Sequence, residues 1–338
     1  MATDELLEKM NELAGHPAIT LKPNFKEEEF LLLRNTTDGQ KRLIDYVETP
    51  KPSEYRKNLI KINSEYERHW FDLRIKDVEI SKLAARLERD ETTLPIDLSK
   101  RFLYRIFTQG SFKKGGRFYR GWWQNVPKEY RPYITIDEGF TSEYDYSQLN
   151  PHMLYYSMNK KMGEEDAYSR VLDGEHRDIV KQAFNAMIQA DTLLRACPEN
   201  IDIDKIDISW IDLRDTILTA HKPIASLFFQ GTGNAMQFED SQIVENILLQ
   251  TTDSKTAGLP IHDSFIMRKK YASDLEEMMR RAFHLRFGED IPVSSEIIIE
   301  PPRLFKDDGT PRTDEMATED REHSQWFHRN VIWMHRKI

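Results

Sequence analysis

The chain has 338 residues, 39% of them hydrophobic, and a formal net charge of −9. That is enough apolar material for two or three domains or one large lobed one, while the acidic balance argues against a protein that coats nucleic acid through its overall field. No run approaches the ~18 uninterrupted apolar residues that span a bilayer, the amino-terminal MATDELLEKMNELAG lacks the apolar stretch of a signal peptide, and the lone Cys197 excludes an internal disulfide or a cysteine-rich zinc site. A cytoplasmic protein without a membrane partner is expected.

Taken in chain order, residues 1 to about 95 read as mostly helical. The run EYRKNLIKINSEYERHWFDLRIKDVEISKLAARLERD carries apolar residues at three- and four-residue intervals until ETTLP breaks it, which predicts one or two long helices. Residues 98–128 then contain no Asp or Glu, and their lysines and arginines, Lys113, Lys114 and Arg117 among them, alternate with aromatic residues around a KKGGR turn. Such a mixture suits a nucleic-acid groove, where cations neutralise phosphates and rings stack on bases. It equally suits a solvated basic surface over an aromatic core.

RPYITIDEGFTSEYDYS follows, with β-branched and aromatic residues flanking Asp137, Glu138 and Gly139 as in a hairpin, and a strand ending near Asp145. From Pro151 to about Thr252 the apolar spacing is helical, and Met236, Ile243, Val244, Ile247 and Leu248 form a core stripe. GLPIHDSFIMRKKYASDLEEMMRRAFHLRFG passes from a short strand through a polar turn to a second strand and a helix. The order predicts an α+β fold with an antiparallel sheet and helices on one side.

Two carboxylates stand out in that frame. Asp145 lies at the end of the first hairpin and Asp263 at the turn of the second, each among residues that belong in a sheet. Held on rigid backbone at one rim, such a pair can bridge two Mg²⁺ ions, the arrangement of nucleotidyl transfer. Taken singly, an Asp at a strand end is most often a cap or a turn residue.

The surrounding residues sharpen the reading. YDYSQL resembles motif A of the family A DNA polymerases, IHDSF is similar to their motif C and shares its Ser and Phe with single-subunit phage-type RNA polymerases, and GGRFYRGWWQNVP resembles the segment that precedes motif A. RDIVKQAFNAM looks like the start of motif B, and the QGT at Gln230 stands about where those enzymes carry the same tripeptide. The resemblance covers about residues 110–285, in the expected order.

It implies a right-hand polymerase with an antiparallel palm sheet, a small helical fingers region and an N-terminal helical thumb-like element. Its domains would be 1–97 (thumb-like), 98–158 (first part of the palm, motif A), 159–228 (fingers, motif B), 229–290 (second part of the palm, motif C) and 291–338 (tail). Asp145 and Asp263 are then the catalytic metal ligands, with the backbone carbonyl of Tyr146 as a third, for two Mg²⁺ ions that Mn²⁺ can replace. Arg177, Lys181, Phe184, Gln148 and Asn150 face the nucleoside triphosphate. Lys113, Lys114, Arg117, Gln124, Asn125, Gln230 and His262 face the primed DNA template or an RNA/DNA hybrid, and replication proteins are further partners. The plainer readings stay open: Arg177 and Lys181 as a solvated helix face, His262 as a core histidine, Gln230 as a turn cap.

Departures from the motifs matter as well. Asn150 stands where the DNA enzymes place a ribose-excluding Glu, motif B runs into Gln189 and Ala190 in place of its Tyr-Gly, and Ser264 replaces the second acid of motif C. The short interval between Asp145 and Asp263 leaves room for small fingers only, and the N-terminal region is too short for an editing domain. The expectation is a compact DNA polymerase without proofreading, of the kind a phage or mobile element carries. Its rivals are an RNA-synthesising or primase-like enzyme and an inactive nucleic-acid-binding module. In the tail, Trp326, Ile332 and Trp333 are expected to pack a terminal helix on the core.

Overall fold

The computed structural model describes residues 29–37, 39–75, 77–89 and 96–296. The N-terminal 28 residues, and the tail helix expected around Trp326, Ile332 and Trp333, lie outside them. The described part is a mixed α+β fold built on two sheets.

The central sheet contains β3 (Phe71–Leu73), β6 (Ile134–Ile136), β7 (Gly139–Tyr146), β8 (Leu259–Ile261), β9 (Ser264–Arg268) and β10 (Val293–Glu296). Its order is β3-β6-β7-β9-β8, every pair antiparallel, and β10 continues the edge of β7 beyond β6. β7 is therefore covered along both edges. The β6–β7 hairpin closes on Asp137 and Glu138, both at positive φ (47° and 62°), a two-residue turn whose twist matches that of the strands. Asp137 offsets the strain: its carboxylate accepts from the Trp70 backbone N–H at 2.9 Å and pairs with His69 Nδ1 at 2.7 Å.

The second sheet has the order β2-β1-β4-β5, from β1 (Leu31–Thr37), β2 (Gln40–Leu43), β4 (Tyr104–Thr108) and β5 (Ser111–Tyr119), with β1 parallel to β4. The expected KKGGR turn is instead the interior of β5. The hairpin turns at Gln109 and Gly110, and Gly115 and Gly116, at φ +71° and +81°, make an irregularity within the strand. A Cβ at Gly116 would meet the Phe107 ring at 2.7 Å and Ser241 Oγ at 2.9 Å, so the glycine lets β5 lie directly on a helix.

That helix is α6 (Gly233–Asp253), the longest among the described residues. The others are α1 (Pro50–Tyr66), α2 (Asp77–Glu88), α3 (Leu149–Ser157), α4 (Arg177–Gln189), α5 (Trp210–Ala220) and α7 (Ala272–Phe287). The stripe Met236, Ile243, Val244, Ile247 and Leu248 is buried, as its spacing predicts. The long N-terminal periodic run is two helices, α1 and α2, interrupted by β3, and the expectation of a helical region over 1–97 is corrected: it supplies β1, β2 and β3 to the two sheets. Tertiary pairing with β4 and β6 overrides the helical spacing there.

Most aromatics of the basic segment are core. Trp122, Trp123 and Phe107 are fully buried and Phe118 nearly so, which leaves none of those four rings for base stacking. Arg105 is buried too, ion-paired to Glu245 at 2.8 Å with its guanidinium 4.2 Å from the Tyr55 ring centre. Asn63 ties α1 to the start of β4: its amide donates to the Leu103 carbonyl and its oxygen accepts from the Leu103 N–H, both at 2.9 Å, in a fully buried position. Asn63→Ala strands both backbone groups and should cost about 2–3 kcal/mol in denaturant unfolding, more than any single exposed substitution on α1.

Candidate active site

The register of β7 with β9 builds the site. Asp145 stands opposite Ser264, and the residue before Ser264 is Asp263, in the second position of the two-residue β8–β9 turn. His262 fills the first position at φ +56°, a conformation normally left to glycine in such turns. On the other edge of β7, Ser294 of β10 faces Asp145. The two aspartates thus meet at the same end of neighbouring strands with only small hydroxyl residues beside Asp145.

Alternation along β7 puts Glu143 and Asp145 on one face and Tyr146 on the other. The Tyr146 side chain is buried and its hydroxyl donates to the Met279 carbonyl of α7 at 2.5 Å, so α7 backs the sheet. Glu143 is also buried, and its Oε1 accepts from Arg131 Nη1 and from Ser264 Oγ, each at 2.7 Å. A carboxylate from β7 is therefore hydrogen-bonded to the residue that follows Asp263.

Electrostatics mark the site as a concentration of negative charge. Burial first, then the negative charges of Asp263 and Glu143, push the Asp145 carboxyl up to about 7, against the pull of Lys181 on α4 and of the Tyr146 backbone N–H. Asp145 Oδ1 is buried with no hydrogen-bond partner. Asp240 of α6, fully buried, is likewise raised to about 7 by burial and Asp263, although Arg117 Nε donates to its Oδ2 at 2.8 Å. Partial desolvation, then the positive charges of Arg117 and Arg131, hold the His262 imidazole below the usual histidine range, against the opposing pull of Asp263.

Lys181 is exposed and its charge reaches Asp145. Arg177, one turn earlier, forks onto Asp166 (Nη2–Oδ2 2.7 Å) and lies over the Tyr168 ring at 5.2 Å. Asn150 donates to Asn185 Oδ1 at 3.0 Å, joining α3 to the same helix, α4. Gln148, in a left-handed conformation ahead of α3, accepts from the Ala167 N–H.

Other expected contacts are committed elsewhere. Phe184 is fully buried against Tyr168, His221 and Phe228, so a nucleotide-stacking role for it is corrected: on an amphipathic helix it falls on the core side. Gln124 donates to the Phe118 and Pro260 carbonyls and so braces the start of β8. Asn125 is half-buried beside it, Gln230 is exposed, and Lys113 and Lys114 are exposed on β5, away from the two aspartates. Three charged residues of the site were not anticipated: Glu143, Arg131 and Asp240. Glu143 carried a signal, since it stands two residues before Asp145 in a strand and must share its face.

Among the described residues no group of three or more His, Cys, Asp or Glu forms a ready-made metal cage. Two carboxylates do suit Mg²⁺, which takes one or two from protein and completes its shell with water and substrate phosphates. The unpartnered, buried Oδ1 of Asp145 fits that role.

No protein-family model matches the sequence, and no curated protein does. Among solved structures, the chain is similar to the polymerase domain of Pol1 from M. smegmatis, solved with DNA primer-template and dNTP, at 13% identity and a TM-score of 0.40 over 64% of this chain. It spans half the length of that polymerase domain. No helix among the described residues is long and apolar enough to cross a membrane.

Neutralising Asp145 should stabilise the fold in a pH-dependent way. A carboxyl whose folded pKa lies above its unfolded value loses stability as pH rises between the two, here from about 4 to about 7. Asp145→Asn should therefore raise the unfolding free energy at pH 8 by on the order of 2 kcal/mol and make no difference near pH 3.5. Thermal melts across that range check the sign, and added Mg²⁺ should raise the melting temperature of the parent at pH 8 but not that of Asp145→Asn.

Proposed function

We propose that the chain is a template-directed nucleotidyltransferase, a compact DNA polymerase of the family A kind that extends a primer with divalent-metal assistance. The observation that carries the reading is the juxtaposition of Asp145 and Asp263 on adjacent strands of one antiparallel sheet, with a buried, unpartnered carboxylate oxygen and a lysine from a neighbouring helix facing it. The resemblance of the residues around both aspartates to motifs A and C supports it.

Asp145 and Asp263 would hold two Mg²⁺ ions, or Mn²⁺ in their place, with the Tyr146 backbone carbonyl completing the protein's share. When bound, these ions would favour ionisation of a primer 3′-hydroxyl and neutralise charge on the leaving group. The hydroxyl oxygen forms a bond to the α-phosphorus of a nucleoside triphosphate as the bond to pyrophosphate breaks. Lys181, whose charge already reaches Asp145, would bind the phosphate oxygens as negative charge builds on them. Arg177 is one helical turn away on the same face, and would have to exchange Asp166 for phosphate. Glu143, through Ser264, fixes the turn that carries Asp263, and Arg131 holds the Glu143 carboxylate in place. Primed DNA and nucleoside triphosphates are the substrates in this reading, and editing is no part of it.

One observation favours a second reading. Asn150 engages another amide, that of Asn185, where the DNA enzymes carry a ribose-excluding Glu, so an RNA-synthesising or primase-like enzyme on the same fold is the alternative. Primer extension with deoxy- and ribonucleotides offered separately decides between them. Asp145→Ala and Asp263→Ala should each lower extension by at least a thousandfold, and Lys181→Ala by about a hundredfold, with most of the loss in kcat. Extension that survives either aspartate substitution, or shortening of a mismatched primer from its 3′ end by the purified chain, would overturn the proposal as stated.

A further inference from the structure

The β1–β2 hairpin is not used by the site described above. Beyond Leu33 it leaves the core: Asn35, Thr36, Thr37 and all four residues of β2 are exposed. Its strands remain fully paired, Arg34 with Leu43, Asn35 with Arg42, Thr36 with Lys41 and Thr37 with Gln40. The base is anchored. Gly110 in the β4–β5 turn donates its N–H to the Arg34 carbonyl at 2.9 Å, and Tyr46, itself bonded to Arg56, donates to the Leu31 carbonyl.

This projecting arm is basic. Arg34, Lys41 and Arg42 pair with no carboxylate among the described residues, and Lys113 and Lys114 sit at the same end of the same sheet in the same condition. Of the acids nearest in sequence, Glu29 and Glu48 are both bound by Arg56, Asp45 stands exposed, and Asp38, between the two strands, lies outside the described residues. Five cations on one sheet end is a strong local reversal in a chain of net charge −9.

We infer that the β1–β2 arm grips the phosphate backbone of the primed duplex behind the primer end. The inference rests on the polymerase reading for its substrate, and its evidence is separate from the two aspartates. Duplex is favoured over single strand by composition: the arm displays Arg34, Asn35, Thr36, Thr37, Gln40, Lys41 and Arg42 and no aromatic ring. Single-strand grooves rely on aromatic stacking, whereas cations, amides and hydroxyls are the groups that contact duplex phosphates and sugars.

Sheet geometry sets the reach. Arg117, ion-paired to Asp240 beside the site, and Lys113 are four residues apart on β5, about 13 Å at ~3.3 Å per residue, and β2 lies three strand spacings of ~4.8 Å from β5. Lys41 and Arg42 therefore lie roughly 20 Å from Arg117. At about 3.4 Å of rise per base pair that is about six base pairs back along the duplex.

The test is equilibrium binding of full-length protein to primed DNA as a function of salt and duplex length, with Lys41→Ala/Arg42→Ala beside the parent. Each lost phosphate contact lowers the slope of log K against log salt by about 0.9, so the double variant should lose about 2 in slope and about tenfold in affinity near 0.1 M salt on a duplex of ~15 base pairs. The loss should vanish on a duplex of about four, and should not depend on the length of the template overhang. Lys41→Arg/Arg42→Lys should bind as the parent does, which separates charge from folding. An unchanged slope, a loss that tracks overhang length, or a parent that does not bind primed DNA would each overturn the inference. Arm-dependent binding by a protein that adds no nucleotide would instead overturn the polymerase reading and leave the arm standing.

Discussion

The site depends on one pairing, Asp145 opposite Ser264. Side chains alternate across a strand with a period of two, so a slip of one residue would send Asp145 and Glu143 to the face now occupied by Tyr144 and Tyr146. Three features forbid the slip. Tyr146 is buried and bonded to α7, Glu143 bridges Arg131 and Ser264 across the strand boundary, and the β8–β9 turn has only two residues, which fixes where Asp263 emerges. Packing on one face thus aligns charge on the other.

That alignment opposes stability. Glu143, Asp145, Asp240 and Asp263 bring negative charge together in a partly dry environment, and two of the four are pushed up to about 7. Arg131 and Arg117 answer Glu143 and Asp240 with direct ion pairs, while Asp145 has the charge of Lys181 but no hydrogen-bond partner for its inner oxygen. The compensation is uneven in an informative way. Carboxylates with fixed guanidinium partners are structural braces, and the one left short of a partner is Asp145.

Much of this was legible in the sequence. The two hairpins, the helix with Arg177 and Lys181, and the core stripe of α6 follow from local alternation and periodicity, which is why YDYSQL and IHDSF could be placed on strand ends before any coordinates. What escaped was set by distant partners. β1 and β3 are strands because β4 and β6 receive them, KKGGR is strand because two glycines let it bend over α6, and Phe184 faces inward because α5 and its neighbours cover that side of α4. Composition left two readings open for the basic segment, and burial decides for the plainer one: most of its aromatics are core, Arg105 is buried with them, and Lys113 and Lys114 reach solvent. Glu143 was within reach of the period-two rule, whereas Arg131 and Asp240 come to the site through contacts no spacing encodes.

Helix α6 connects these parts. Its buried Asp240 takes Arg117 and its Glu245 takes Arg105, so two ion pairs from adjacent strands clamp the second sheet onto one helix face. Ser241 lies between those acids, receives Arg105 Nη2 at 3.3 Å, and rests against the backbone of Gly116 where any larger residue would intrude. The same Asp240 feels the charge of Asp263. A buried pair costs much to separate once formed, so the second sheet, with its basic arm, cannot tilt relative to α6 without breaking at least one of them. The placement of the arm relative to α6 is therefore a fixed property of the fold, which is the condition for a sheet end to hold a polymeric ligand in register with a site built beside that helix.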